Sequence, residues 1–190
     1  CDVADLGCGV GGGLRFLLDH AQAPMNAVGL TLSPTQARLA RARLHPAALV
    51  IEGDFQAVPL PAGAFDLVYS IEAFVHAPDP SRYFAEAARL LRPGGRLLLI
   101  DDTLARPPRD TYEHRMLDLY VRGWHVPSVV SVDVLRAQAA RHGLRPHDET
   151  VLTSWLRLRA VPPWLASALA RVARPLLMRR PPKKYGAALG

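Results

Sequence analysis

The chain has 190 residues, 49% of them hydrophobic and 21% charged, with a formal net charge of +6. That length suits one domain with a sizeable core, and the composition is that of a globular chain and not of a disordered polymer. No apolar run approaches the ~18–20 residues of a membrane span, and the N-terminus lacks the basic, apolar, small-residue order of a signal peptide. The two cysteines, Cys1 and Cys8, lie too close together to staple a domain, so a reducing, cytoplasmic compartment is expected. The positive charge gathers in a basic tail at 171–184, with Arg171, Arg174, Arg179, Arg180, Lys183 and Lys184. Such a tail suits either contact with an anionic membrane surface or nucleic acid, or a plain solvated helix face.

Short apolar runs alternate with helical stretches, the pattern of βαβ units on a parallel sheet. Strands are expected at 2–7, 26–32, 48–54, 65–71 and 96–102. The run at 96–102 is nearly all apolar, as in a strand buried on both faces. Helices are expected at 12–21, at 34–44 behind a Ser33 cap with Pro34 at the first helical position, and at 81–91 behind a Ser81 cap. After these come helices over 106–125 and over 131–142 (capped by Ser131), a sixth strand over 147–155, and a basic amphipathic helix over 162–180. The fold class is therefore α/β: a Rossmann-like, doubly wound, mostly parallel sheet of about six to seven strands with helices on both faces.

The stretch ADLGCGVGGG at 4–13 follows the first strand and contains G-x-G-x-x-G at Gly7, Gly9 and Gly12. Glycines there let a ligand touch the main chain. A nicotinamide-binding fold also wants an acid about 20 residues further on, at the end of the second strand. That position reads GLTLS, with Thr31, Ser33 and Gln36 nearby and no acid. Asp5, two residues before the first glycine, would repel a pyrophosphate and welcome a cation. S-adenosylmethionine carries two cationic groups, a sulfonium and an ammonium.

VADLGCGVGG resembles motif I of the class I S-adenosylmethionine-dependent methyltransferases. The segment from Gly53 to Asp101 is similar to the motifs that follow it in that family, in order and at family spacing, so the resemblance covers about residues 2–102. GLTLSPTQ is similar to the second-strand segment of cyclopropane fatty acid synthases and of sterol and tocopherol methyltransferases, and SIEAFVHAP to the fourth-strand segment of the sterol enzymes. The resemblance implies S-adenosylmethionine as cofactor. Asp5, Gly7, Cys8 and Gly9 would hold its methionine end, with backbone amides facing the carboxylate. Thr31, Leu32 and Gln36 would serve the ribose. Asp54 would accept from the adenine amino group and Phe55 would pack on the ring, unless Phe55 is ordinary core. Ser70 and Ile71 would lie near the reactive end. Residues 1–105 would form this core, and 106–190 the acceptor-side helices and the remainder of the same domain. The family usually has helices before the first strand, so the chain is expected to be a fragment.

Glu72 and His76 stand at the carboxyl edge of the sheet, where ligands bind in such folds. If the segment after Ile71 turns helically, their i, i+4 spacing puts them on one face. His76 would deprotonate an acceptor, and Glu72 would orient it or face a carbocation; the plainer reading is a turn cap and a salt link. Tyr112, Trp124 and His125 fit an apolar acceptor site, or equally core at helical spacing. His142 and His147 read as surface. No metal-ligand spacing is present and methyl transfer needs no metal. The expected function is methylation of a small, apolar metabolite such as a lipid or terpenoid. The alternatives are a non-catalytic methyltransferase-like binding module and a nicotinamide-dependent oxidoreductase. No nucleic-acid partner is expected, because the (D/N/S)-P-P-(Y/F/W) motif of amino-group DNA methyltransferases is absent.

Overall fold

A computed structural model describes residues 1–155. Contacts divide the chain into one unit of Cys1–His147 and another that starts at Asp148. The first unit contains five strands in the order β3-β2-β1-β4-β5, all paired in parallel. They are β1 (Asp2–Leu6), β2 (Asn26–Thr31), β3 (Ala48–Glu52), β4 (Phe65–Ile71) and β5 (Leu91–Ile100). The helices are α1 (Gly12–His20), α2 (Pro34–Leu44), α3 (Pro80–Leu90), α4 (Thr111–Trp124) and α5 (Val132–Arg141). This is the Rossmann-like doubly wound arrangement.

Alternation along the strands divides the core in two. Val3 and Tyr69 face one side with Cys8, Leu14, Ala37, Ala40 and Leu44 of the α1–α2 layer. Ala4, Leu6 and Val68 face the other, against Phe74, Tyr83, Phe84, Ala87 and Leu90. The three- and four-residue spacing of Tyr83, Phe84, Ala87 and Leu90 makes the apolar stripe of α3, and each such large side chain contributes roughly 1.5–3 kcal/mol by burial. At the amino edge of the sheet Arg92 bridges Asp2 at 2.6 Å and Asp66 at 2.8 Å. These half-exposed pairs fix strand ends far from the carboxyl edge and contribute little energy.

Helix starts follow local chemistry. Ser33 Oγ accepts the Gln36 amide and Ser131 Oγ the Val134 amide, as expected. At α3 the cap is Asp79, not Ser81: its carboxylate accepts the Ser81 and Arg82 amides, and Pro80 takes the first helical position. Pro80 restricts the residue before it to extended backbone, which is the cap conformation. The strand expected at 96–102 starts earlier, at Leu91, and is not buried on both faces. It is one of the two edge strands among the described residues, with β3 at the other edge: Leu97 and Leu99 pack on the α3 core, while Leu98 remains exposed. The strand expected over 147–155 is absent; the only regular structure there is a short 3-10 turn, Thr153–Trp155. The expected helix over 162–180 and the basic tail at 171–184 lie outside the described residues. Among the described residues no helix is long and apolar enough to cross a membrane.

Candidate active site

The carboxyl ends of β1, β2 and β4 open onto three turns that meet. The turn after β1 needs glycine at its first position. Gly7 has φ 112, and a Cβ there would stand 2.3 Å from the Ala73 Cβ in the turn after β4. Gly9 and Gly11 also take positive φ, and Gly11 is the N-cap of α1, so the third special glycine of the turn is Gly11 and not Gly12. The Gly7 and Cys8 amides both donate to the Leu30 carbonyl, at 2.9 and 2.8 Å. They pin the turn to β2 and are not free for an anion. The unpaired amides of a helix start lie further on, in the first turn of α1. Alone among the five α-helices described, α1 has no side-chain cap. A Cβ added to Gly9 would meet nothing within 4 Å. This end of the turn is therefore open to a ligand.

Cys8 turns inward. Gly29 on β2 leaves the room it needs, since a Cβ at Gly29 would come within 2.8 Å of the Cys8 sulfur. Burial pushes the Cys8 thiol up to about 12, so it stays protonated and inert. Asp5 is only 4% exposed and forms no ion pair among the described residues. Burial raises its carboxyl to about 7.

Beyond β2, Thr31 Oγ1 donates to Gln36 Oε1 at 2.8 Å, which leaves the Gln36 amide nitrogen as a donor at an exposed position. Leu32 beside it is 61% exposed. After β3, Asp54 accepts the Gln56 amide at 2.8 Å, and Phe55 is half-buried edge-on against Tyr83, with ring centroids 5.5 Å apart. Gln56 was not singled out in the sequence; buried, it accepts the Asp79 amide at 3.0 Å and ties this loop to the start of α3.

At the end of β4 the neighbours Ser70 and Ile71 part company. Ser70 is fully buried with its hydroxyl 2.8 Å from the Tyr83 hydroxyl, so its side chain belongs to the core. Ile71 is exposed at the rim. Glu72 and His76 do not share a helical face. Glu72 has φ 51 and donates its amide to the Ile100 carbonyl, and the segment that carries His76 is a short 3-10 turn, Phe74–His76, that starts two residues after Glu72. A non-glycine residue held in the left-handed region stores about 1–3 kcal/mol of strain and marks a candidate functional position. His76 Nδ1 lies 2.9 Å from the His125 carbonyl. A carbonyl only accepts, so Nδ1 carries the proton and Nε2 of the neutral ring keeps its lone pair.

Helix α4 follows β5, and polar contacts tie it to the rest of this unit. None of its residues is buried. The Tyr120 hydroxyl donates to Asp102 in a short hydrogen bond, and the Arg106–Glu113 pair closes its first turn at 2.6 Å. The next segment is anchored by Ser128, whose amide donates to the Val75 carbonyl at 3.0 Å and whose hydroxyl donates to the Ala77 carbonyl. Tyr112 and Trp124 are each 70% exposed, so they are not core. Met116 and Leu119 are exposed too, and with Tyr112 their spacing sets them along one side of the helix. His125 is the left-handed C-cap of α4. Asp101 accepts the Val75 amide at 3.1 Å, and burial raises its carboxyl. Asp101, Asp102 and Tyr120 were missed in the sequence, although the end of a fifth parallel strand is where such groups fall. No group of residues that could hold a metal is present among the described residues.

A family profile described as a methyltransferase domain matches residues 4–99. The chain belongs to this methyltransferase family. The match begins beside Asp5 and ends one residue short of the end of β5, so it takes in all five strands and the turns at their carboxyl edge. The tocopherol O-methyltransferase of Arabidopsis thaliana is 31% identical over 141 residues, covering 69% of this chain and 40% of that protein. The 2-methyl-6-phytyl-1,4-hydroquinone methyltransferase of a Synechocystis strain is 30% identical over 179 residues, covering 91% and 55%. The chain thus spans about half the length of these two curated relatives. Among solved structures, phosphoethanolamine N-methyltransferase 2 of Haemonchus contortus, in complex with S-adenosyl-L-methionine, superposes with a TM-score of 0.71. The likeness covers 98% of this chain and 42% of that one at 18% identity, and it is a likeness of fold.

Proposed function

We propose that this chain is the cofactor-binding part of an S-adenosylmethionine-dependent methyltransferase that methylates a small, apolar metabolite. The observation that carries the cofactor is the buried Asp5 carboxyl with no cation beside it, beneath a glycine turn that leads into the uncapped start of α1. A carboxylate there disfavours a pyrophosphate and suits an amino acid's ammonium. Asp5 would take the ammonium, and the first amides of α1 the carboxylate. Gly7, Cys8 and Gly9 shape the turn. Gln36, held by Thr31, would donate to the ribose, and Leu32 would cover it. Asp54 would accept from the adenine amino group, with Phe55 against the ring. Ile71 would border the reactive end, with Ser70 behind it in the core. When bound, the cofactor supplies a methyl group on a sulfonium, a leaving group that needs no further activation.

What remains for the protein is to align a nucleophile and exclude water; alignment is worth ~7–11 kcal/mol in favourable cases. His76 Nε2 would accept the acceptor's proton, a contribution of ~10²–10⁴-fold. Glu72 would set negative charge beside the developing cation or orient the acceptor. The exposed apolar side of α4, with Tyr112, Met116 and Leu119, and Trp124 at its end, supports an apolar acceptor, as do relatives named for a tocopherol and a phytyl hydroquinone. Transfer of labelled methyl to a panel of a prenylated hydroquinone, a sterol and dimethylglycine tests the class. Labelling of the apolar acceptors supports it; labelling of dimethylglycine alone refutes it.

A further inference from the structure

Tyr69 on β4 stands opposite Asp5 in the sheet register. It is 2% exposed, and its hydroxyl is a buried polar atom with no hydrogen-bond partner. The hydroxyl and Asp5 Oδ2 lie against the same face of Gly13, 3.6 and 3.7 Å from where a Cβ there would stand. So two buried polar groups sit side by side under the start of α1 without a standard hydrogen bond between them. A buried hydroxyl left unpaired is costly and calls for an explanation.

The other groups around Asp5 do not supply a partner. On β2, Asp5 faces Gly29, which has no side chain. The Cys8 thiol makes only a weak contact, 3.7 Å to the Gly9 carbonyl. The Tyr83 hydroxyl of α3 is engaged with Ser70. From α1, Gly13 offers no side chain; Asp5 Oδ2 lies 3.7 Å from where its Cβ would stand. Among the described residues, Tyr69 carries the side-chain donor beside Asp5 that has no other partner. Burial pushes its phenol above the ordinary range, so it keeps its proton. A phenol binds a carboxylate far more strongly than a neutral carboxyl, because that hydrogen bond is charge-assisted.

We propose that Tyr69 is a positioning residue that receives the Asp5 carboxylate when a cationic ligand arrives at the glycine turn, so that cofactor binding and loss of the Asp5 proton are one event. The carboxyl O–H bond breaks, the proton passes to the buffer, and the carboxylate is left between the ligand's ammonium and the Tyr69 hydroxyl. The inference rests on the cofactor reading above for its ligand. The placement of Tyr69 beside Asp5 stands apart from it, since the two groups lie side by side whatever ligand the turn takes.

The experiment has two arms, run on the full chain and on Tyr69→Phe. In the first, carboxyl-carbon NMR follows the titration of Asp5 without ligand, assigned through Asp5→Asn. Tyr69→Phe moves the Asp5 midpoint upward by roughly half to one pH unit. In the second, S-adenosylhomocysteine is titrated calorimetrically in two buffers of different ionisation enthalpy. The unmodified chain releases a proton on binding near and below pH 7; Tyr69→Phe extends that release to higher pH and moves the affinity midpoint the same way. An Asp5 midpoint unmoved by Tyr69→Phe makes Tyr69 mere core and overturns the inference while leaving the cofactor reading intact. A moved midpoint with no S-adenosylhomocysteine binding at any pH overturns the cofactor reading and the coupling, and leaves only the contact.

Discussion

Gly7 and Ala73 touch across the carboxyl edge of the sheet: a Cβ on Gly7 would fall 2.3 Å from that of Ala73. The turn that would hold the cofactor and the turn that carries Glu72 are pressed together with no space for a side chain. Gly7→Ala meets this clash and a φ of 112 at once. Strain of this kind costs about 1–3 kcal/mol before any repacking. The melting temperature is expected to fall by several degrees, and affinity for S-adenosylhomocysteine to fall with it.

Glu72 stores strain of the opposite use. Replacement by glycine relieves its left-handed backbone, so Glu72→Gly should melt at the same or a higher temperature than the parent, with the gain on the order of 1 kcal/mol. Methyl transfer should drop at least tenfold while cofactor affinity stays within about twofold. Unchanged transfer would remove Glu72 from the chemistry.

His76 is held by the His125 carbonyl, and this sets its tautomer. Nitrogen NMR should find the proton on Nδ1 and the lone pair on Nε2. His125→Gly keeps the left-handed cap and should preserve both tautomer and activity. His125→Val disfavours that cap, should mix the tautomers and should lower turnover with little change in cofactor affinity.

The Ser70–Tyr83 hydrogen bond is a core feature. Ser70→Ala strands a buried phenol and should cost about 1–3 kcal/mol, read as a lower denaturation midpoint. S-adenosylhomocysteine affinity should not change, because the Ser70 hydroxyl faces Tyr83.

Asp5 links the candidate cofactor site to stability. Its carboxyl is held at about 7 in the fold against an ordinary 3.8. The folded value is the higher one, so the stability Asp5 contributes is full below about pH 4 and is lost as the pH rises through about 7. A difference of that size is on the order of 4 kcal/mol. Asp5→Asn should therefore flatten the pH dependence of unfolding, raise the melting temperature at pH 8, and weaken cofactor binding.

Much of this was legible in local chemistry. Ser33 before Pro34 fixes the start of α2, the spacing of Tyr83, Phe84, Ala87 and Leu90 fixes the buried side of α3, and the glycine run after an apolar strand fixes the tight turn after β1. Asp79 before Pro80 could have been read as the cap by the same rule as Ser33; Ser81 only looked equivalent because it is also a capping type. Other features depend on partners distant in sequence. Nothing local reveals that His76 meets a carbonyl 49 residues away, or that Ser70 is claimed by Tyr83. The apolar run of β5 could not show that it would be an edge strand, since edge position is a property of the sheet. Glu72 and His76 failed as a helical pair because Glu72 takes a left-handed conformation that sequence spacing cannot show.

The central claim is most directly tested by calorimetric titration of the chain with S-adenosylhomocysteine, with NADH as the control. Saturable binding of S-adenosylhomocysteine, weakened by Asp5→Asn, and no binding of NADH is the expected result. Binding of NADH alone, or S-adenosylhomocysteine binding indifferent to Asp5→Asn, would contradict it.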